Sequence, residues 1–263
     1  MVNLYYTESG VKYKADLFAG CCFFFKVQRM KKGQKRMSIG FANKDKEGEQ
    51  LENYTKYKLK SSDELVSLLA DVDNLFIIAC NKCFKEFETI DEPECGELEK
   101  LVTEQGKTVT GTACVDFLCN STQTKRKLQD MIPEGTEHIL VASCGLGIQT
   151  VSDLTGKSVF AASDSLNYTG HHGMALTKKS CDACAQCYLN VTGGICPIVD
   201  CSKSLVNGQC GGAKNGKCEV DPNKDCAWEK IYKRLEKQGR LSEFLDQPVQ
   251  LRDYSKVDFK FVN

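Results

Sequence analysis

The chain has no excess of charge of either sign and no long apolar segment. Lys+Arg and Asp+Glu each number 35 among 263 residues, so the formal net charge is zero. This balance argues against nucleic acid or a membrane surface as the main partner, because both attract strongly basic proteins. The apolar run at residues 17–25 is far shorter than the ~20 residues that a membrane-spanning helix needs.

A secretory signal is also missing. The first residues are polar and of mixed charge, with no apolar core where a signal peptide would carry one. The 16 cysteines therefore do not fit the disulfide framework of a secreted protein. Dense cysteine in a reducing compartment is instead typical of thiolate metal binding. We expect a cytoplasmic metal-binding protein.

The motifs of common enzyme classes are absent. The three histidines (His138, His171, His172) form no H-E-x-x-H pattern, and neither a Walker A motif nor G-x-S-x-G occurs. Gly145 and Gly147 belong to a G-L-G fragment that lacks the rest of a dinucleotide-binding fingerprint. The sequence thus names no catalytic residue, and we expect the chain to be non-catalytic on its own.

Short apolar runs alternate with helical patterns from residue 59 onward. Ser61 and Glu64 form a capping-box pattern, and residues 75–79 are a continuous apolar run that is typical of a buried parallel strand. Further strands are predicted at residues 107–114, 138–143 and 157–162, with helices at 94–105, 121–132 and 148–154. Such alternation predicts βαβ units and a parallel sheet covered on both faces.

The stretch from residue 163 to 226 changes character. It is rich in Gly, Cys, Asn and Asp and has few long apolar runs, so it cannot build a conventional core and needs metal to hold it. The predicted fold class is therefore α/β, a Rossmann-like parallel sheet followed by a small cysteine-rich metal-binding module. The predicted parts are an N-terminal extension of unknown role (1–58), the α/β domain (59–162), the cysteine-rich module with a closing helix (163–245) and a tail (246–263).

The closing helix is predicted at residues 227–238. Trp228, Ile231, Tyr232 and Leu235 lie on one face of it. This apolar face either covers the cysteine-rich module or docks a partner protein.

The strongest motif is a run of closely spaced cysteines. Cys181, Cys184 and Cys187 are each separated by two residues, and a Cys-Pro pair follows at Cys196. This arrangement is typical of bacterial ferredoxins and favours [4Fe-4S] clusters. Zinc remains the alternative, because zinc knuckles with four thiolate ligands also use C-x-x-C. Cys201, Cys210, Cys218 and Cys226 complete a set of eight thiols, which is enough for two four-thiolate sites. The spacing leaves open which cysteines share a site.

A second group of cysteines follows the predicted parallel strands. Cys80 and Cys83 come after the first strand, Cys119 after the second and Cys144 after the third. The carboxyl ends of parallel strands meet at one rim of the sheet, where such sheets bind ligands. We expect these four cysteines to form a third metal site. Cys114, at a strand end, is equally well explained as a small buried residue.

Three segments resemble a known family. They are SCGLGIQTVSDLTGKSVFAASD from residue 143, CDACAQCYLNVTGGICPIVDCSKSLVNGQCGGAKNGKCEV from residue 181, and DCAWEKIYKRLEKQGRL from residue 225. Over roughly residues 60–245 the chain resembles the methylenetetrahydrofolate reductase C-terminal domain family. Free-standing members are small iron–sulfur subunits of acetogen-type enzymes of the Wood–Ljungdahl pathway. The resemblance implies a flavin-bearing TIM-barrel reductase subunit as partner and all twelve of these cysteines as ligands.

Two positions depart from the family pattern. Phe87 stands where the first motif usually has a third cysteine, so the rim site is either weakened or completed by another thiol such as Cys95 or Cys114. Gln209 replaces a proline, which should only loosen a turn.

The expected function is that of an accessory iron–sulfur subunit. It would transfer electrons to, or organise, a flavin-dependent methylenetetrahydrofolate reductase in one-carbon metabolism. Two alternatives remain open: a structural zinc protein without redox work, and a corrinoid or folate methyl-transfer protein that acts at the sheet rim.

Overall fold

The computed structural model of the chain describes residues 56–81, 94–167 and 179–257. All of them lie in one unit of the chain, residues 50–263. Most of the predicted N-terminal extension, the segment with Cys83 and Phe87, His171 and His172, and the tail beyond residue 257 lie outside these ranges.

The elements of the described part follow the predicted alternation. The strands are β1 (Lys56–Leu59), β2 (Asn74–Cys80), β3 (Thr108–Val115), β4 (His138–Ala142), β5 (Ser158–Ala161) and β6 (Ser163–Asn167). The α-helices are α1 (Ser62–Leu68), α2 (Glu94–Glu104), α3 (Ser121–Met131), α4 (Gly145–Thr155), α5 (Pro197–Asp200), α6 (Ala227–Lys237) and α7 (Leu241–Leu245).

Four strands form a parallel sheet in the order β3-β2-β4-β5. Strand β2 is central, and Phe76 on it lies opposite Gly111 of β3 and Ile139 of β4. Six of the seven residues of β2 are buried, which explains why its sequence is a continuous apolar run. The prediction of a mixed α/β fold with a parallel sheet is confirmed.

Each face of the sheet carries its own hydrophobic core. On one face, residues of α1 and α2 such as Leu65 and Leu98 pack against Ile77 of β2. On the other, α3 and α4 pack against the sheet together with residues 188–206 of the cysteine-rich stretch, including Leu189 and Ile198. Part of the cysteine-rich stretch is therefore attached to the sheet by ordinary apolar packing.

Strands β1 and β6 form a separate antiparallel pair that we did not predict from the sequence. Both strands are short and polar, so neither carries an apolar run or a clean alternation. An ion pair between Lys60 and Asp164, with Nζ to Oδ1 at 2.9 Å, lies beside this pair. Strand β6 matters for the site because it places Asp164 and Ser165 beside the cysteines.

Helix boundaries agree with the local signals in the sequence. The capping box at the start of α1 is present: the Ser61 hydroxyl accepts from the Glu64 amide and the Glu64 carboxylate accepts from the Ser61 amide. None of the helices in the described ranges combines the length and apolar character that a membrane span requires.

Candidate metal centres

The eight cysteines between residues 181 and 226 separate into two groups of four in space. Cys181, Cys184, Cys187 and Cys196 line one small cavity of about 20 Å³, and we call them the first four-cysteine site. Cys201, Cys210, Cys218 and Cys226 line another cavity, also of about 20 Å³, and we call them the second four-cysteine site. The grouping follows the order of the cysteines along the chain: the first four thiols line one cavity and the last four line the other.

Several of these cysteines occupy the N-cap position of a helix. Cys196 caps α5, Cys226 caps α6, and Cys187 caps a 3-10 turn at residues 188–190. Cys144 of the predicted rim site caps α4. None of the four side chains makes a capping hydrogen bond. Cysteine is not a favoured N-cap residue. Of these elements, α4 and α6 are 11 residues long, so Cys144 and Cys226 lie at the positive ends of helix dipoles, where negative charge is favoured.

Strand β6 positions the loop of the first four-cysteine site. The Asp164 carboxylate accepts from the Cys187 amide at 2.7 Å, and the Ser165 carbonyl accepts from the Ala185 amide at 2.9 Å. Lys60 holds the same carboxylate in place from the other side. The α/β part of the chain therefore supplies the support for this cysteine loop.

Helix α4 forms a wall of the same cavity. The Gly145 amide donates to the Ser165 hydroxyl at 2.8 Å, and the Gln149 side chain donates to the Ser180 carbonyl at 2.9 Å. A Cβ atom added to Gly145 would lie 2.7 Å from the Cys181 sulfur. The G-L-G fragment, which resembled part of a dinucleotide-binding motif, thus allows a cysteine to approach the start of a helix.

The backbone of the cysteine loop is strained on both sides of Cys184. Ala183 and Ala185 have φ angles of 46° and 51°, in the left-handed region that residues other than glycine seldom adopt. Such a conformation costs of order 1–3 kcal/mol per residue and is concentrated at functional sites. This conformation turns the chain at Ala183 and again at Ala185, so that cysteines close to one another in sequence line one cavity.

Burial raises the pKa of three thiols of the first four-cysteine site, Cys184, Cys187 and Cys196, in the absence of a cation. It raises the pKa of Cys196 to about 12 and that of Cys187 well above its usual range. Burial also raises the pKa of Cys184, less strongly because of a backbone hydrogen bond and nearby Arg252. A bound cation would offset this cost, because it stabilises thiolates directly.

The tail closes over this loop. The Leu251 carbonyl accepts from the Gln186 side chain at 3.0 Å and from the Tyr188 hydroxyl at 3.4 Å. Arg252 forms an ion pair with Asp182 at 3.3 Å. The described part of the predicted tail thus belongs to the surroundings of the first four-cysteine site.

The second four-cysteine site is built by a tight turn between α5 and α6. The Cys218 amide donates to the Lys224 carbonyl at 2.9 Å, and the Cys226 amide donates to the Gly216 carbonyl at 2.8 Å. Cys210 of this site is exposed, and a hydrogen bond with Ser202 lowers the pKa of Cys218. Trp228 forms the inner wall of its cavity.

The predicted rim cysteines lie at the carboxyl ends of neighbouring strands. Cys80 ends β2, Cys119 follows β3 and Cys144 follows β4, while Cys83 lies outside the described residues. Cys80 and Cys119 are buried and Cys144 is half-buried. The rim placement that the strand pattern indicated is therefore present for three of the four cysteines, and their role as ligands stays a prediction.

Sequence reasoning missed two kinds of feature at these sites. It did not divide the eight cysteines between two cavities, and it did not find supports such as Asp164 and Gly145. The Cys-Pro pair at Cys196 could not have given this division, because in two-cluster ferredoxins the cysteine of that pair binds a different cluster from the preceding run of cysteines. Within the described ranges, no group of three or more His, Cys, Asp or Glu side chains is arranged so as to hold a metal ion.

One comparison with known proteins gives a match. Residues 160–255, about a third of the 263-residue chain, match the family model described as methylene-tetrahydrofolate reductase C terminal. The resemblance read from the sequence is confirmed over this range, which contains both four-cysteine sites but not the rim cysteines. No curated protein and no solved structure matches the chain.

Proposed function

We propose that this chain is an accessory iron–sulfur subunit of a methylenetetrahydrofolate reductase. It binds one [4Fe-4S] cluster at each four-cysteine site and transfers electrons to, or organises, a flavin-bearing subunit in the cytoplasm. The observation that carries the proposal is the separation of eight cysteines into two cavities with four thiols each. The match of residues 160–255 to a reductase-related family supports the partnership.

The donor sets fit a cluster better than a single ion. A zinc site needs four sulfurs at about 2.3 Å from one point. A [4Fe-4S] cluster takes one thiolate at each of four separate irons, so its ligands surround a volume. In each four-cysteine site the thiols line a shared cavity, but in the described part of the chain no three of them are placed to hold one metal ion. This placement fits the second arrangement better than the first.

The protein around the first four-cysteine site would perform two tasks. Cys181, Cys184, Cys187 and Cys196 would hold the cluster, while the tail at Leu251 and Arg252 would limit the entry of water. The start of α4 at Gly145 points its helix dipole toward the thiolates and lowers the cost of their negative charge. A bound cluster would supply one-electron transfer.

We also propose a third site at the sheet rim, with Cys80, Cys83, Cys119 and Cys144 as ligands. Three of them follow neighbouring parallel strands, and Cys144 lies at the start of α4. This helix would then contribute its first turn both to the rim site and to the wall of the first four-cysteine site.

Hydride transfer to a folate is assigned to the partner. Reduction of methylenetetrahydrofolate needs a hydride, which flavin or nicotinamide supplies. The glycine pair that resembled a nucleotide motif is packed against protein: Gly145 faces Cys181, and Gly147 faces Ser143 and Leu118. A relay or scaffold role fits these features better than reduction by this chain itself.

Metal analysis of single variants tests the proposed sites. Anaerobically purified protein should contain iron and acid-labile sulfide and absorb visible light broadly. Cys196→Ser and Cys226→Ser should each lose the iron of one site only, and Cys144→Ser should lose that of the rim site. Cys22→Ser, at a cysteine that is assigned to no site, is the control. Zinc in place of iron and sulfide would contradict the redox role.

Replacement of Gly145 by alanine should weaken the first four-cysteine site selectively. The new Cβ would lie 2.7 Å from the Cys181 sulfur, and overpacking of this kind costs about 1–3 kcal/mol. We expect loss of most of the first site's iron with the second site's iron retained, measured by iron content and electron paramagnetic resonance after reduction. Gly96→Ala is a matched control, because a Cβ there meets nothing within 4 Å. Full iron content in Gly145→Ala would show that α4 does not shape the site.

The reductase partnership is tested by reconstitution. The purified, flavin-free chain should not reduce methylenetetrahydrofolate. Folate reduction should appear when the chain is co-expressed and purified with a flavin-bearing reductase subunit. Folate reduction by the chain alone would refute the assignment of hydride transfer to a partner. Methyl transfer to a corrinoid by the chain alone would favour the methyl-transfer alternative.

A further inference from the structure

Two cysteines outside the four-cysteine sites contact each other at the edge of the sheet. Cys114 lies on β3, which is at the edge of the sheet in the described part of the chain, and Cys95 lies in the first turn of α2. Their sulfur atoms are 3.1 Å apart. The contact is between residues separated by 19 positions, so it is made by the packing of α2 on β3 and not by local sequence.

The two thiols have different surroundings. Cys114 is exposed, whereas Cys95 is only 5 % exposed. The Cys114 thiol donates to the Cys95 sulfur, and the Cys95 thiol donates to the Ala113 carbonyl at 3.4 Å. An external reagent can therefore reach Cys114 first, and any group attached to the Cys114 sulfur is within reach of Cys95.

We propose that Cys95 and Cys114 form a redox-responsive dithiol–disulfide couple that reacts with low-molecular-weight disulfides such as glutathione disulfide. The Cys114 thiolate attacks one sulfur of glutathione disulfide, which forms a mixed disulfide and releases one glutathione thiol. Cys95 then attacks the Cys114 sulfur and releases the second. Two protein thiols are oxidised to one disulfide, glutathione disulfide is reduced to two glutathione molecules, and the two thiol protons end on the two products.

The disulfide would join the start of α2 to the edge strand. Helix α2 follows the segment that contains Cys83 and leads on from Cys80 at the end of β2. Oxidation would therefore fix the first turn of α2 against β3. Excess glutathione would reverse the bond by the same exchange. This chemistry does not involve the proposed clusters. The iron content of each variant is therefore measured separately from its disulfides.

The experiment treats the anaerobically purified, metal-loaded chain with glutathione disulfide and maps the cysteines by alkylation and peptide mass spectrometry. The wild type should lose two alkylatable thiols and yield a peptide pair crosslinked through Cys95 and Cys114. Cys95→Ser should instead keep a glutathione adduct on Cys114, because the second attack is lost. Cys114→Ser should show neither product, with unchanged iron content.

Two outcomes would overturn the couple. One is a stable glutathione adduct on Cys114 of the wild type without the crosslink, since it would show that Cys95 does not resolve the mixed disulfide. The other is a loss of iron in Cys114→Ser, since it would make the pair metal ligands. The wild type and Cys114→Ser decide the question even if Cys95→Ser does not fold, because Cys114 is exposed and its replacement leaves the core intact.

Discussion

Removal of metal is expected to unfold the chain around the second four-cysteine site while the parallel sheet stays folded. Ordering the backbone costs about 1–2 kcal/mol per residue. Between residues 207 and 225 no residue is buried, so apolar packing cannot offset this cost there. Ligand bonds would have to do so, and a structural zinc site supplies about 10–16 kcal/mol in small domains.

Limited trypsin digestion measures this effect. Lys214, Lys217 and Lys224 lie in the turn of the second four-cysteine site and should be cleaved rapidly after chelation or in Cys226→Ser. Lys127 on α3 is the internal control and should keep its resistance. Residues 188–198 should lose less order, because Tyr188, Leu189 and Ile198 are packed on the sheet. Equal cleavage of the turn with and without metal would refute a metal-dependent fold.

Replacement of Trp228 by alanine should be among the most destabilising single changes in the chain. Trp228 is 1 % exposed and packs beside Tyr232 and Phe244, with ring centroids at 5.8 and 5.3 Å. Its indole nitrogen donates to the Leu205 carbonyl at 2.9 Å. Truncation of such a residue costs about 3–5 kcal/mol, out of a typical total of about 5–15 kcal/mol. Denaturant titration of the metal-loaded protein measures the loss.

Two variants separate packing from the hydrogen bond. Trp228→Phe keeps a ring in place but leaves the Leu205 carbonyl without its indole donor, so we expect a smaller loss of about 1–3 kcal/mol. Tyr254→Ala removes an aromatic side chain that is 58 % exposed and should change the free energy of unfolding by less than about 0.5 kcal/mol. Similar losses for Trp228→Ala and Tyr254→Ala would contradict the packing role.

The position of Trp228 also decides between the two interpretations of the closing helix. The apolar face of α6 packs over the cysteine-rich stretch, with Ile231 and Leu235 fully buried and Cys201 against the same cluster. Because this face is covered by the chain itself, Trp228 does not serve as a docking surface. Exposed apolar side chains occur further on, at Val249, Leu251 and Tyr254 of the tail.

The fold of the sheet was readable from the sequence because its signals are local. Residues 75–79 are a continuous apolar run, and a strand buried on both faces must have one. Ser61 and Glu64 define the start of α1 through hydrogen bonds between residues three apart. The pairing of β1 with β6 was not readable, because both strands are polar and their residues are about a hundred positions apart.

The candidate ligands could be named from the sequence alone, because closely spaced cysteines are typical of thiolate metal sites. The sequence was not enough to divide eight thiols between two sites, because that division depends on cavities shaped by the turns at Ala183 and Ala185 and by the wall at Gly145. The contact of Cys95 with Cys114 likewise exists only because α2 packs on β3. Spacing is a property of the chain, whereas the direction in which a sulfur points is set by tertiary packing.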